Sequence, residues 1–186
     1  GYFNQQLTED GWQLEMFPAY DFHQWPATLV KGEDGKPIQI GVPIGHQTLK
    51  AQIWVVNVGR VSLYLLDADI QENPPELRVV TSRLYGGDAE LRIRQEILLG
   101  IGGLRALHAV GLPPTVCHMN EGHAAFLALE RVRQAMEEHQ LSYREAVEAA
   151  SGGNIFTTHT PVPAGIDRFE PGLVERHLSW MARALG

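Results

Sequence analysis

Thr115-Val116-Cys117-His118-Met119-Asn120-Glu121-Gly122-His123-Ala124-Ala125-Phe126-Leu127 is the stretch that decides the fold. A strand-type run, Thr115 to Met119, passes directly into hydrogen-bonding residues. A helical pattern then sets Phe126, Leu129, Val132 and Met136 on one inner face. The run predicts a buried strand that leaves its sheet at Met119, a tight turn permitted by Gly122, and a helix starting near His123. The transition recurs at Asn154-Ile155-Phe156-Thr157-Thr158-His159-Thr160-Pro161, continued by Val162-Pro163-Ala164-Gly165. Such polar residues are poor core material, and the end of a strand is where an open α/β sheet puts its ligand site.

Working outward, Ser142-Tyr143-Arg144-Glu145 is a capping-box pattern that opens a helix, and Gly152-Gly153 ends it. Asn154 to Thr158 reads as a second strand, and Pro171 stands near the start of a last helix to Leu185. Upstream, Asp88 can cap a helix with Ile93, Ile97, Ile101 and Leu104 on one stripe, stopped by Gly111-Leu112-Pro113-Pro114. Helix–strand–helix–strand–helix over residues 88–186 predicts a parallel, doubly wound α/β sheet.

Residues 1–87 are different in texture, rich in β-prone runs and turn signals. Two short extended pieces flank Thr8-Glu9-Asp10, and Pro18, Pro26 and Glu33-Asp34-Gly35-Lys36-Pro37 break the segment further. Leu49 to Val58 and Val61 to Leu66, joined by Gly59-Arg60, carry a hairpin signal. Residues 71–76 read as a loop.

The chain of 186 residues can bury a real core, and its 44% hydrophobic and 20% charged content is ordinary for a soluble domain. A net charge of −7 with scattered Lys and Arg gives no footprint for nucleic acid, and suits a neutral, hydroxyl-rich ligand better than a polyanion. The single cysteine, Cys117, excludes an internal disulfide and fits a reducing compartment. No apolar run approaches a membrane span, and no basic-then-apolar leader is evident. Beginning at Gly1 in a strand-like segment, the sequence reads as a piece of something longer.

Asn120, Glu121 and His123 at a strand-to-helix turn can offer donors and acceptors to sugar hydroxyls. They can equally serve the next helix, Asn120 as cap and Glu121 by favourable interaction with the helix dipole. Pro161 biases Thr160 to extended geometry, which exposes His159 and its carbonyl at the sheet edge; a loop histidine bonded to its neighbours is the alternative. Gly100-Ile101-Gly102-Gly103 sits mid-helix and follows no strand, so it reads as close helix packing rather than a phosphate loop. Arg92 and Glu96, one turn apart, can pair on the helix face. Cys117, His118, His123 and His159 lack metal-ligand spacing, and no metal site is expected. Phe3, Trp12, Trp25 and Trp54 could stack sugars, though packing is the commoner use.

The motifs closely resemble those of the α-glucan (glycogen and starch) phosphorylases, in order along nearly the whole chain. They include Gly1-Tyr2-Phe3-Asn4-Gln5 with Gly11-Trp12-Gln13, Val58-Gly59-Arg60-Val61 and Leu63-Tyr64-Leu65-Leu66-Asp67. Leu84-Tyr85-Gly86-Gly87-Asp88, Arg92-Ile93-Arg94-Gln95-Glu96, Asn120-Glu121-Gly122-His123 and Thr158-His159-Thr160 follow. The wording is most similar to the shorter bacterial and archaeal branch.

The resemblance implies part of the N-terminal Rossmann-like domain of a GT-B fold, with residues 1–87 as its β-rich portion and 88–186 as its helix/strand portion. It implies a cytoplasmic glycosyltransferase that takes α-1,4-glucan and phosphate to glucose 1-phosphate with retention, and it leaves room for a homo-oligomer. Pyridoxal phosphate would be held by a lysine of the C-terminal domain; Lys31, Lys36 and Lys50 lie in the wrong segments. The fragment alone is expected to be inactive. His159 matches the family histidine that contacts the glucosyl unit at the cleavage point, by side chain and carbonyl. Asn120, Glu121 and His123 match the segment lining the acceptor side, and Arg92 the helix start beside it. Thr158 stands where animal enzymes have Asn, and the loop before Arg92 is cut down to Gly86-Gly87-Asp88, so the resemblance does not extend to the family's usual loop Asp and Asn contacts to sugar and phosphate. A GT-B glucosyltransferase such as a starch synthase, or a non-catalytic glucan-binding relic, are the rival readings.

Overall fold

A computed structural model describes residues 4–17, 21–83, 87–161 and 166–186. Parts of three expected motifs, Gly1-Tyr2-Phe3, Leu84-Tyr85-Gly86 and Val162-Pro163-Ala164-Gly165, lie outside these residues. The fold is mixed α/β.

In the β-rich portion, β1 (Asn4–Leu7) and β2 (Gln13–Met16) form an antiparallel hairpin around the Thr8-Glu9-Asp10 turn. A second sheet holds β3 (Thr28–Leu29), β4 (Gln39–Ile44), β5 (Gln47–Val58) and β6 (Val61–Asp67), with β5 paired to each of the others. The hairpin expected at Gly59-Arg60 forms, with Val58 opposite Val61 and φ of +59° at Gly59, a conformation glycine adopts without strain. A second two-residue turn, Gly45-His46, joins β4 to β5 and was not legible as one. β5 alternates burial along Leu49, Ala51 and Ile53, as a strand with one covered face must. Trp54 is also buried and stacks on Phe22 at 5.4 Å between ring centroids. Residues 71–76 are not wholly loop, because α1 (Pro75–Arg78) begins there with proline at its first position.

Asp88 caps α2 (Ala89–Ile97) as expected, its carboxylate accepting from the Leu91 N–H at 3.0 Å. A π-turn over Leu98–Gly102 leads into α3 (Gly103–Ala109). Ile93, Ile97, Ile101 and Leu104 are all buried, so the predicted stripe is the inner face. The glycines within this stretch do serve packing: a Cβ on Gly100 would lie 2.7 Å from the Leu127 nitrogen and 3.0 Å from the Ala124 carbonyl oxygen.

β7 (Cys117–Asn120) and β8 (Asn154–Thr157) pair in parallel. They are linked by α4 (Leu127–His139) and α5 (Tyr143–Ser151), whose capping box at Ser142 and Glu145 is present in full. The final helix, α6 (Pro171–Leu185), starts at its proline. Three expectations need correction. β7 runs on to Asn120 and alternates, with Cys117 and Met119 buried and His118 and Asn120 exposed. β8 ends at Thr157, one residue early. The parallel sheet has two strands among the described residues, so helix–strand alternation yields a parallel crossover and not a full doubly wound sheet.

One apolar cluster joins the β-rich and helical portions: Val42, Leu49 and Ile53 pack with Ile93, Ile97, Ile101, Leu178 and Met181. A buried ionic hub reinforces it. Glu130 on α4 is fully buried and accepts from Arg105 on α3 at 2.8 and 3.1 Å and from Arg133 at 2.9 Å twice. Arg105 also donates to the Gly41 carbonyl at 2.7 Å, which pins β4 to the helices. Burial pushes the Glu130 carboxyl up, but the two guanidinium groups outweigh it and hold it below the usual range.

Candidate functional site

The parallel pairing of β7 with β8 brings the two polar runs to one end of the sheet. Asn120 stands opposite Thr157, the Glu121 N–H donates to the Thr157 carbonyl at 2.8 Å, and the chain beyond β8 passes beside Glu121. Asn120, Glu121, His123, Thr158 and His159 therefore gather there for a topological reason, since parallel neighbours end on the same side.

Glu121 is the centre of this arrangement. Its backbone has φ of +60° and ψ of −163°, a region essentially reserved for glycine and costly for other residues by about 1–3 kcal/mol. The tight turn assigned to Gly122 is thus made one residue earlier. The 3-10 turn Gly122–Ala124 follows, and α4 starts only at Leu127, with Phe126 at its N-cap and no side-chain cap. That removes the capping reading of Asn120 and Glu121. The Glu121 carboxylate crosses to the other strand end, where one oxygen accepts from the His159 N–H at 3.2 Å and the Thr160 N–H at 2.7 Å. Hydrogen bonding from the Thr160 hydroxyl, with these backbone groups and the nearby His159 ring, holds its carboxyl below the usual range. Asn120 faces the same segment, its Oδ1 at 3.0 Å from Nε2 of His159. His159 is exposed, and Thr158 beside it is exposed as well.

Arg92, on the first turn of α2, reaches this end of the sheet. It does pair with Glu96, Nη2 to Oε1 at 3.3 Å, but the same nitrogen lies 3.3 Å from Nδ1 of His123 and donates to Oδ2 of Asp167. Arg92 thus links α2, the turn after β7 and the segment before α6. Asp167 carried no sequence signal, standing alone after a turn-rich stretch; only the fold brings it to Arg92. Glu96 was legible as the partner of Arg92, but not as a buried group facing a second carboxylate.

Glu96, His123 and Asp167 each present one atom within 4.8 Å of the others, a spacing a metal ion could use. Arg92 Nη2 contacts all three, so the guanidinium is the cation of this cluster. Cys117 and His118 point to opposite faces of β7 and share no ligand position with them. His118 lies 2.5 Å from the Thr157 hydroxyl across the strands.

Amide, carboxylate, imidazole and guanidinium groups thus meet at the strand ends of a parallel α/β crossover, the place where open α/β sheets put a ligand site. No family model matches the chain. Among curated proteins, it is 50% identical over 185 residues to a glycogen phosphorylase of Mycobacterium tuberculosis, covering 96% of this chain and 21% of that protein. It is 48% identical over 179 residues to a maltodextrin phosphorylase of Thermococcus litoralis, again 96% and 21%. A glycogen phosphorylase of Aquifex aeolicus is 31% identical over 186 residues, all of this chain and 27% of that protein. The chain is therefore related in sequence to the α-glucan phosphorylases over nearly its whole length, and the resemblance read from its motifs is borne out. It spans about a fifth of the length of the Mycobacterium and Thermococcus phosphorylases.

Proposed function

We propose that this chain is a segment of an α-glucan phosphorylase and forms part of one wall of its active site. On this reading it lies in the N-terminal Rossmann-like domain of a GT-B fold, residues 1–87 and 88–186 being two portions of that domain. The observation that supports it is the convergence of Asn120, Glu121, His123, His159 and Arg92 on one strand end in a chain so closely related to phosphorylases.

The whole enzyme would transfer a glucosyl unit from the end of an α-1,4-glucan to phosphate, giving glucose 1-phosphate with retention. His159, with Thr158 next to it, would meet the glucosyl unit being transferred. Its ring can bond a sugar hydroxyl, and its carbonyl can face the positive charge that develops at the anomeric carbon. Glu121 fixes the His159 backbone and so aims that carbonyl; electrostatic groups held in advance cost no reorganisation during reaction. Asn120, Glu121, His123 and Arg92 would line the acceptor side. Pyridoxal phosphate would supply a phosphate group beside the substrate phosphate. Lys31, Lys36 and Lys50 are all exposed, and none joins the strand-end cluster, so they do not fit a Schiff-base lysine. The segment contributes to sugar contact and not to holding that group. A cytoplasmic location is part of the same reading; no helix among the described residues is long and apolar enough to cross a membrane.

The test is made in the whole enzyme that carries this segment, by following glucose 1-phosphate release from maltooligosaccharide and phosphate. His159→Ala should lower kcat by more than it raises the glucan KM, because its contacts tighten as charge develops. Glu121→Ala or His123→Ala should raise the KM for glucan more than that for phosphate. Absence of phosphorolysis in the unaltered enzyme, or near-normal turnover of His159→Ala, would overturn the reading.

A further inference from the structure

Two carboxylic acids, Glu96 and Asp167, approach one another and share a single guanidinium nitrogen, with a third carboxylate, Glu121, on the far side of His123. Glu96 Oε1 is 3.3 Å from Arg92 Nη2 and 4.0 Å from His123 Nδ1, while Asp167 Oδ2 is bonded to Arg92 and 3.9 Å from His123 Nδ1. His123 Nε2 is 3.9 Å from Glu121 Oε2. Only 5% of the Glu96 side chain is exposed, against 26% for Asp167. Arg92 carries one positive charge for two acids on this side, and two ionised carboxylates at such range repel strongly. The arrangement closes if the more buried acid keeps its proton and donates it to the other.

We propose that Glu96 and Asp167 form a proton-sharing positioning pair that, through the Nη2 of Arg92, holds Arg92 and His123 in place at the end of β7. This rests on the reading of that strand end as a sugar-binding site. Glu96 touches no ligand position; it acts through Arg92. Asp167 takes the ion-pair role with Arg92, and Glu96 is the neutral donor behind it. His123, with Nδ1 facing the guanidinium, accepts there and so carries its proton on Nε2, which faces Glu121.

The electrostatics agree. Burial, then the Asp167 carboxylate, push the Glu96 carboxyl up to about 8, with Arg92 opposing. Burial also acts to raise Asp167, but Arg92 and the hydrogen bond from Glu96 prevail and hold it below the usual range. A folded-state value above the unfolded one means that the contribution of Glu96 is fully present below pH 4.5. It declines as pH rises, and is lost through about 8. Above that pH, Glu96 and Asp167 are both anionic on one guanidinium, and Arg92 and His123 lose their fixed geometry.

The test compares the unaltered whole enzyme with its Glu96→Gln and Glu96→Ala variants from pH 6 to about 9.5, in glucan kinetics and in thermal unfolding. Glutamine keeps a neutral donor that cannot ionise. In the unaltered enzyme Tm should fall as pH rises from 6 and level off near 8, and the glucan KM should rise several-fold, on the order of 3–10, as pH passes through that value. Glu96→Gln should abolish both limbs, and Glu96→Ala should raise the KM at every pH. The proposal is overturned if Glu96→Gln keeps the same alkaline limb, or if it behaves like Glu96→Ala throughout, as an ionised partner of Arg92 would. If the enzyme turns over no glucan, the functional reading fails, and the Tm profiles of the same proteins still decide the proton-sharing pair.

Discussion

Gly100→Ala is the sharpest test of how the helix carrying Arg92 is docked against the turn that follows β7. The added Cβ would meet the Leu127 nitrogen at 2.7 Å, the Ala124 oxygen at 3.0 Å and the Phe126 carbonyl carbon at 3.1 Å, all backbone atoms that cannot rotate away. Restoring ordinary contact at 3.4 Å needs a shift of roughly 0.7 Å in the start of α4 or in the π-turn. Overpacking of this kind costs about 1–3 kcal/mol, while replacing glycine in a helix returns about 0.8–1 kcal/mol. The expected net loss is up to about 2 kcal/mol. Gly103→Ala is the internal control, because its Cβ meets nothing within 4 Å, so the propensity gain should appear alone and raise stability by about 0.5–1 kcal/mol. Urea unfolding of both variants, followed by far-UV circular dichroism, reads the difference. Equal effects of the same sign would refute the claim that α2–α3 is held against the strand-end turn by backbone contact.

Removing the Glu121 carboxylate as Glu121→Ala should free the His159 and Thr160 amides, with lower stability in the same urea assay and faster hydrogen exchange at those two positions. The same protection should fade with acid in the unaltered chain. The carboxyl is held low in the folded state, so its contribution is present above pH 4.5 and is lost as pH falls through the folded value; protection persisting in full after protonation would contradict this. Glu130→Ala should cost about 3–5 kcal/mol in the same urea assay, since it leaves Arg105 and Arg133 without their shared anion in a buried place. A loss under 1 kcal/mol there would show that the hub is dispensable.

Local signals in the sequence were read correctly where the controlling physics is local. The Asp88 cap, the Ser142–Glu145 box, the Gly59-Arg60 hairpin and the helix-start proline at 171 depend on residues a few positions apart. The buried stripe from Ile93 to Leu104 follows from period alone. Failures came where a distant contact decides. Glu121 takes a glycine-like backbone because its carboxylate is engaged by the far strand, a fact invisible in Asn120-Glu121-Gly122. β7 was expected to be buried because its residues are apolar, yet one face is open, with His118 and Asn120 exposed. Asn120, Glu121, His123 and His159 are legible from their strand-end positions and Thr158 and Arg92 from motif resemblance, whereas the convergence of the two strand ends required the parallel pairing. Asp167 had neither motif nor period to mark it, and its partner Arg92 is 75 residues away.

The contact between Asn120 Oδ1 and His159 Nε2 has a bearing on what can enter this end of the sheet. The imidazole N–H is committed to the amide oxygen, so a guest that takes that N–H must first part the two atoms, and what it gains is an exchange rather than a new bond. An ammonium group can serve the amide oxygen and leaves the imidazole stranded; a carboxylate does the reverse when the imidazole is the donor. A hydroxyl inserted between them can give its hydrogen to one and take a hydrogen from the other, replacing the lost bond on both sides at once. The closed pair thus sorts visitors by whether they are donor and acceptor in the same atom.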